Sequence, residues 1–95
     1  FEHVRAMGEV LLSELQQLQT DNPATVSNAR GLGLLCAFDL PDTETRDHLV
    51  ADLFRRHLII LGCGSHAIRF RTSLNIPEKD LREGLSIIRD AVRAL

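Results

Sequence analysis

The sequence is short of the residues on which several functional classes depend. It contains no tryptophan, no tyrosine and only four phenylalanines, so aliphatic side chains must form most of the core. It also lacks a basic excess, since 11 lysines and arginines stand against 13 aspartates and glutamates and the net charge is −2. Nucleic-acid binding domains ordinarily carry a basic surface and aromatic stacking platforms. The composition therefore argues against a nucleic-acid partner.

Long apolar runs and a cysteine framework are missing as well. No apolar stretch approaches the length needed to cross a bilayer, and no secretory signal pattern is present. Cys36 and Cys63 are the only cysteines, and nothing in their surroundings indicates a disulfide scaffold. We expect a cytoplasmic protein without a membrane partner.

Lysine is nearly absent, because Lys79 is the only one in the chain. Chemistry that needs a buried Schiff-base lysine would have to use this residue. Lys79 falls in the first turn of a predicted helix, off its apolar stripe, and should be solvated. The sequence predicts that Lys79 is not catalytic.

The 95 residues are sufficient for one domain, spanning 1–95. Hydrophobic residues make up 44% and charged residues 25% of the chain, which is typical of a globular protein. The chain opens at Phe1 without an initiator methionine and already in helical periodicity. We expect it to be cut from a longer chain.

Hydrophobic periodicity predicts three helices and two pairs of strands. The order is helix, hairpin, helix, strand, strand, helix, which favours an α+β fold with a small, mostly antiparallel sheet and helices packed on one face. Three apolar stripes define the helices: Val4, Met7, Leu11, Leu12, Leu15 and Leu18; Leu49, Val50, Leu53 and Phe54; and Leu81, Leu85, Ile88, Val92 and Leu95. Asp42 or Thr43 is the expected N-cap of the second helix, and Pro77 the first residue of the third.

The hairpin is predicted from two strand-like runs joined by glycines. Residues 26–30 form the first strand, Gly31-Leu32-Gly33 the reversal and residues 34–40 the second strand. Gly31 or Gly33 should have a positive φ. The Gly-x-Gly is not a dinucleotide-binding motif, because Cys36 stands at the third glycine position and a strand follows instead of a helix.

Residues 62–71 are the stretch around which the chain is organised. A glycine loop, preceded by a buried strand over 58–61, leads into a strand in which apolar and cationic residues alternate. Ile68 and Phe70 share one face and Arg69 and Arg71 the other. The arginine pair is either a solvated polar face or a clamp that grips a carboxylate or phosphate through two parallel hydrogen bonds.

Other candidate sites are weaker. Cys63 and His66 are three residues apart and would give a metal two ligands, whereas a structural zinc needs four, so no metal is predicted. A nucleophilic Cys63 would need a base and an orienting group, and His66 is the one histidine near it in sequence. Cys36 is interpreted as a small core residue.

Three segments in order resemble one family. Residues 30–41, Ile68-Arg69-Phe70-Arg71 and residues 74–78 resemble the C-terminal small domain of class III aminotransferases. These are pyridoxal-phosphate enzymes of the ornithine and 4-aminobutyrate aminotransferase group. Within the group, the Cys-Ala-Phe-Asp-Leu-Pro run and the Arg-Phe-Arg strand are similar to those of lysine 6-aminotransferases. The resemblance extends over essentially the whole chain.

The resemblance implies a domain of a longer, homodimeric enzyme that transfers the terminal amino group of L-lysine to 2-oxoglutarate. It implies that Arg69 binds the α-carboxylate of glutamate or 2-oxoglutarate, with Arg71 as a supporting cation. Arg30, Gly31 and Gly33 match a family turn with a structural role. The family's cofactor lysine, phosphate-binding turn and pyridine-binding aspartate have no counterpart in these residues, so this segment should neither bind pyridoxal phosphate nor transaminate by itself.

A second hypothesis remains open from the residues. The chain could be a self-standing α+β module that binds an amino acid or organic acid through Arg69 and Arg71. An upstream cofactor lysine in the same open reading frame would favour the aminotransferase, and a start codon directly before Phe1 would favour the module.

Overall fold

The computed structural model describes residues 2–58 and 61–95. Ile59 and Ile60, in the middle of the strand predicted over 58–61, lie outside these residues, and the assignment of Leu58 to that strand was wrong, because Leu58 instead closes the end of the preceding helix by donating its N–H to the carbonyl of Leu53. Three helices and four strands follow in the order α1, β1, β2, α2, β3, β4, α3. Their bounds are α1 Glu2–Asp21, β1 Ser27–Leu32, β2 Leu35–Asp39, α2 Thr43–Arg55, β3 Leu61–Cys63, β4 Ala67–Arg71 and α3 Glu78–Arg93.

The four strands form one antiparallel sheet in the order β1-β2-β4-β3. α1 packs against β1 and β2, while α2 packs against β3 and β4, and both helices contact α3. The predicted α+β fold, with helices on one side of a small antiparallel sheet, is confirmed. No helix within the described ranges has the length and hydrophobicity of a membrane-spanning segment.

The core lies between the sheet and the helices. Cys36, Phe38 and Ile68 point into it from β2 and β4 and are at most 1% exposed. On the helices the buried positions recur every three or four residues, as the stripes predicted. They include Met7, Leu11, Leu15, Leu18, Leu49, Leu53, Leu81, Leu85, Ile88 and Val92.

Two predicted core residues are exposed. Phe54 is 63% exposed, because Leu49 and Leu53 occupy the inward face of α2 and a residue one position further is rotated by about 100°. Leu95 is 41% exposed because α3 ends at Arg93. Both assignments to the core were wrong.

The helix starts follow the predicted capping with one correction. Asp42 is the N-cap of α2, and its carboxylate accepts a hydrogen bond from the backbone N–H of Thr45 at 2.7 Å. Pro77 is the N-cap of α3 and not its first helical residue, since its ψ of 147° is extended. The fixed φ of proline suits either position.

The hairpin turn is shorter than predicted. Gly31 and Leu32 belong to β1, and Leu32 pairs with Leu35 across a two-residue turn of Gly33 and Leu34. Gly33 has the predicted positive φ, 59°, and Leu34 does not, which is the pattern of a type II′ turn. The prediction of a positive-φ glycine is confirmed at Gly33, whereas Gly31 was wrongly placed in the reversal.

Candidate functional site

The arginine strand β4 divides its side chains between the two faces of the sheet. Ile68 is fully buried towards the helices, while Arg69 and Arg71 are exposed on the opposite, open face. The side chain of Phe70 lies outside the described part of the structure. β4 is a central strand, paired with β2 on one side and β3 on the other. The two arginines are therefore held by a rigid backbone and not by a loop.

The strand register places Arg69 in a row with a second arginine. Arg69 pairs with Ala37 of β2, and Ala37 pairs with Arg30 of β1. Directly paired residues of antiparallel strands project from the same face. Arg30 and Arg69 thus flank Ala37 on the open face, with backbones about 10 Å apart, or two strand spacings.

An open pocket of about 380 Å³ lies over this row. Its lining combines the two arginines with small and aliphatic residues: Arg30, Gly31, Leu32, Leu35, Cys36, Ala37 and Arg69. Leu32 is 85% exposed beside it. A pocket with cations at two sides and apolar walls suits an organic anion with a short carbon chain.

Arg30 is already paired. Its guanidinium donates to Asp39 Oδ1 at 3.0 Å and to the carbonyl oxygen of Asn28 at 2.8 Å. Asn28 sits in a β-bulge with a positive φ of 53° and donates its side-chain amide to Asp39 Oδ2 at 3.1 Å. The side chain of Arg30 is therefore held in place at one side of the pocket, and Asp39 balances most of its charge.

Asp39 is the anionic centre of this network. Partial burial by itself raises the pKa of the Asp39 carboxyl. The hydrogen bonds from Asn28 and Arg30, and the nearby charges of Arg30 and His66, lower the pKa by more than burial raises it. The pKa of Asp39 therefore lies below its ordinary value of 3.8. His66 Nε2 lies 3.9 Å from Asp39 Oδ2. Asp39 stays ionised at neutral pH and holds Arg30.

Arg69 and Arg71 differ from most arginines of the chain. Within residues 2–58 and 61–95, seven of the ten arginines form an ion pair with a carboxylate, whereas Arg69, Arg71 and Arg93 form none. Arg93 is the last residue of α3, a helix that packs against α1 and α2. The two strand arginines therefore present uncompensated positive charge on the open face.

The turn that precedes β4 is fastened to α2. Arg46 donates to the carbonyl oxygen of Ala67 at 3.1 Å and to that of Gly64 at 3.4 Å, and the Thr43 hydroxyl donates to the Ser65 carbonyl. Gly62 and Cys63, predicted as loop, belong to β3 and pair with β4. The arginine strand is thus more firmly held than the glycine-rich sequence indicated.

The remaining candidate residues from the sequence are His66, Cys63, Cys36 and Lys79. His66 Nδ1 is hydrogen-bonded to Ser65 Oγ at 2.8 Å, and the side chain of Cys63 lies outside the description. Burial raises the pKa of the Cys36 thiol to about 11, so it is protonated at neutral pH. Lys79 is exposed in the first turn of α3.

The structure brings together only some of the residues singled out in the sequence. Arg30, Gly31 and Arg69 line one pocket, while Gly33 forms the adjacent turn and Arg71 lies two residues along β4. Ala37 and Asp39 were missed as site residues. Their alternate spacing in β2 places them on one face, but only the strand order reveals that this face is shared with Arg69.

Comparisons with known proteins agree on one family. The sequence profile of the aminotransferase class-III family matches residues 1–92. An L-lysine-epsilon aminotransferase of Streptomyces clavuligerus is 38% identical over 96 residues, which cover 100% of this chain and 21% of that protein. The enzyme of the same name from Amycolatopsis lactamdurans is 43% identical over 82 residues, covering 85% of this chain and 18% of its own length.

Solved structures give the same result. A lysine aminotransferase from M. tuberculosis superposes with a TM-score of 0.94 at 35% identity, covering 98% of this chain and 21% of that one. An acetylornithine aminotransferase from Elizabethkingia anophelis superposes with a TM-score of 0.91 at 26% identity, covering 99% and 25%. The chain spans about one fifth of the length of these relatives.

Proposed function

This chain belongs to the class III aminotransferase family, and we propose that it is the C-terminal small domain of a longer, homodimeric pyridoxal-phosphate-dependent aminotransferase. The relatives that match it along its length are about five times longer. Several of them are named L-lysine-epsilon aminotransferase. The proposed reaction is transfer of the terminal amino group of L-lysine to 2-oxoglutarate.

The observation that carries this proposal is the uncompensated charge of Arg69 in the open pocket. A guanidinium presents a planar set of donors that matches a carboxylate in a bidentate pair. Arg69 belongs to the central strand β4, and its side chain lines the pocket. No carboxylate of the described residues forms an ion pair with it. We assign to it the binding of the α-carboxylate of glutamate or 2-oxoglutarate.

Arg71 is assigned a supporting part. It lies two residues beyond Arg69 on the same face, roughly 7 Å along the strand, and pairs with Leu35. The charge of Arg71 adds to the positive field that attracts a dianionic keto acid. It is absent from the pocket lining, so its effect should be smaller than that of Arg69.

The residues of this chain do not fit the cofactor itself. Its single lysine, Lys79, is exposed on α3, whereas Schiff-base lysines are activated by a hydrophobic pocket or by a neighbouring cation. The cofactor supplies the electron sink for amino-group transfer, and we place its ligands in the rest of the enzyme. By this proposal the segment alone is inactive.

The proposed work of this domain is to bind and orient the acceptor. Asp39 accepts a hydrogen bond from Arg30 and neutralises its charge at one side of the pocket. Arg46 donates to the backbone at the start of β4. Arg69 then binds the carboxylate of the acceptor. A fixed cation costs little reorganisation when the substrate binds. Orientation of the keto acid by its carboxylate then determines where its carbonyl carbon is presented.

The test is the acceptor kinetics of Arg69→Ala in the full-length enzyme. Loss of a charge-assisted pair costs roughly 2–5 kcal/mol, so kcat/KM for 2-oxoglutarate should fall by roughly tens to thousands of fold. Arg69→Lys should restore only part of it, because an ammonium lacks the bidentate fork. Arg93→Ala is the matched control, since Arg93 is also exposed and unpaired within residues 2–58 and 61–95 but belongs to α3 and not to the sheet.

An unchanged acceptor kcat/KM in Arg69→Ala would refute the assignment. A loss of equal size in Arg93→Ala would refute it too, because the effect would then reflect net charge and not the pocket.

A further inference from the structure

Ala37 occupies the position between the two arginines of the pocket. It is half-buried on the open face of β2, pairs with Arg30 on one side and with Arg69 on the other, and lines the pocket. Directly paired residues have Cβ atoms about 4.5–5.5 Å apart. A side chain at position 37 is therefore the nearest neighbour of Arg69 across the β2–β4 ladder.

Alanine is a poor local choice for this position. β2 is a central strand, and central strands favour β-branched and aromatic residues, whereas alanine is depleted. A position where the sequence departs from local propensity without a packing reason is often a functional one. The helix-facing neighbours of Ala37, Cys36 and Phe38, fill the core, whereas Ala37 lines the pocket on the opposite face.

The small side chain has a direct consequence for access. The backbones of Arg69 and Arg30 lie about 10 Å apart, and the methyl group of Ala37 lies between the two strands on the pocket side. A carboxylate that binds Arg69 in a bidentate manner must lie beside its guanidinium plane, over that methyl group. A larger residue at position 37 would occupy the same volume and press on Arg69.

We propose that Ala37 controls the access of the acceptor carboxylate to Arg69. Its small side chain leaves the space in which the carboxylate end of the keto acid reaches Arg69. The inference rests on the proposed function of Arg69 as the carboxylate-binding residue. It adds that the size of the side chain at position 37, and not only the charge at position 69, sets how tightly the keto acid binds.

The experiment is a size series at this position in the full-length enzyme. Ala37→Val and Ala37→Leu are compared with the unchanged enzyme for KM and kcat with 2-oxoglutarate and with the smaller keto acid pyruvate. We expect KM for 2-oxoglutarate to rise by about tenfold or more in Ala37→Leu and by less in Ala37→Val, with kcat nearly unchanged. The rise for pyruvate should be of similar size, because pyruvate presents the same α-carboxylate to Arg69, and KM for the amino donor should change less than KM for either keto acid.

The matched control is Ser27→Leu. Ser27 is exposed, pairs with Asp39 on the same face of the sheet and does not line the pocket. The substitution places a leucine opposite Asp39, two residues from Ala37 along β2, and should leave both KM values within about twofold. If Ala37→Leu does not fold, Ala37→Val decides the matter, because valine is favoured in strands.

Arg69→Ala separates the inference from the proposed function. A large acceptor defect in Arg69→Ala, with normal KM in both Ala37 variants, overturns the inference and leaves the function of Arg69 standing. Normal kinetics in Arg69→Ala overturns the function. A fall in kcat with an unchanged KM, or an equal rise in KM for the keto acids and the amino donor, also overturns the inference, because either result indicates a general structural effect.

Discussion

Arg30 and Arg69 face the same pocket from opposite sides of Ala37, and of the two only Arg30 has a carboxylate partner in the described residues. Asp39 lies 3.0 Å from the Arg30 guanidinium, while no acidic side chain of residues 2–58 and 61–95 pairs with Arg69. The two arginines therefore have different roles. The charge of Arg30 is neutralised by Asp39, whereas the charge of Arg69 is available to bind an anion. The difference comes from one aspartate two residues beyond Ala37.

The first prediction concerns that aspartate. Because the folded state lowers the pKa of Asp39 below 3.8, the ionised carboxyl stabilises the fold above that value, and the contribution is lost as pH falls through the lowered pKa. Asp39→Asn should reduce the free energy of unfolding at neutral pH by on the order of 1 kcal/mol. The difference from the unchanged protein should shrink below pH 3.8. Urea unfolding at a series of pH values measures it.

Glu83→Gln serves as the control for this prediction. Glu83 is exposed on α3, and its side chain has no hydrogen bond or ion pair within the described residues. Substitution of Glu83 should have little effect on the free energy of unfolding at any pH of the series. A destabilisation by Asp39→Asn that stays constant down to about pH 2 would contradict the account.

The sequence predicts much of the fold because its signals are local. Helical stripes, the Asp42 cap and the alternation of Ile68 with Arg69 each depend on residues a few positions apart. The turn at Gly33 follows from the same local logic, since only glycine adopts a positive φ cheaply. The length of the turn does not follow from local signals, because Gly31 and Leu32 pair with β2 and so belong to β1.

The site was harder to predict than the fold. Sequence alternation identified Arg69 and Arg71 but not Ala37 or Asp39, because these become neighbours only when β4 inserts between β2 and β3. The helix end at His57 was also missed. His57 has a φ of 68°, and the N–H groups of His57 and Leu58 return to the carbonyls of Phe54 and Leu53, a closure usually made with glycine.

The second prediction compares two helical glycines. A Cβ at Gly8 of α1 would lie 2.8 Å from the carbonyl oxygen of Gly33, whereas a Cβ at Gly84 of α3 would meet nothing nearer than Leu58 Cδ1 at 4.0 Å. Gly8→Ala should destabilise the protein by about 1 kcal/mol or more, because the clash is with backbone and outweighs the gain in helix propensity. Gly84→Ala should stabilise it by about 0.5–1 kcal/mol. Urea unfolding followed by circular dichroism measures both, and equal effects of the two substitutions would contradict the packing.

The third prediction concerns the apolar part of the open face. Leu32 and Leu35 pair across the hairpin and are 85% and 45% exposed. Contiguous exposed apolar surface promotes association, so the isolated 95-residue chain should self-associate at high concentration. Leu32→Ser combined with Leu35→Thr should shift it towards monomer in sedimentation experiments.

Leu74→Ser is the control for surface hydrophobicity in general. Leu74 is 70% exposed but lies outside the hairpin, between β4 and α3, and its substitution should leave the association unchanged. A chain that remains monomeric at high concentration without any substitution would count against an apolar docking face on the sheet.

The most direct test of the central claim is the dissociation constant of glutarate, an unreactive dicarboxylate, for the full-length enzyme and its Arg69→Ala and Arg71→Ala variants. Equilibrium titration measures binding without the chemical step. If Arg69 binds the carboxylate, Arg69→Ala weakens glutarate binding by roughly tens of fold or more, and Arg71→Ala weakens it by only a few fold. Unchanged binding in Arg69→Ala together with its loss in Arg71→Ala would contradict the account and place the carboxylate on Arg71.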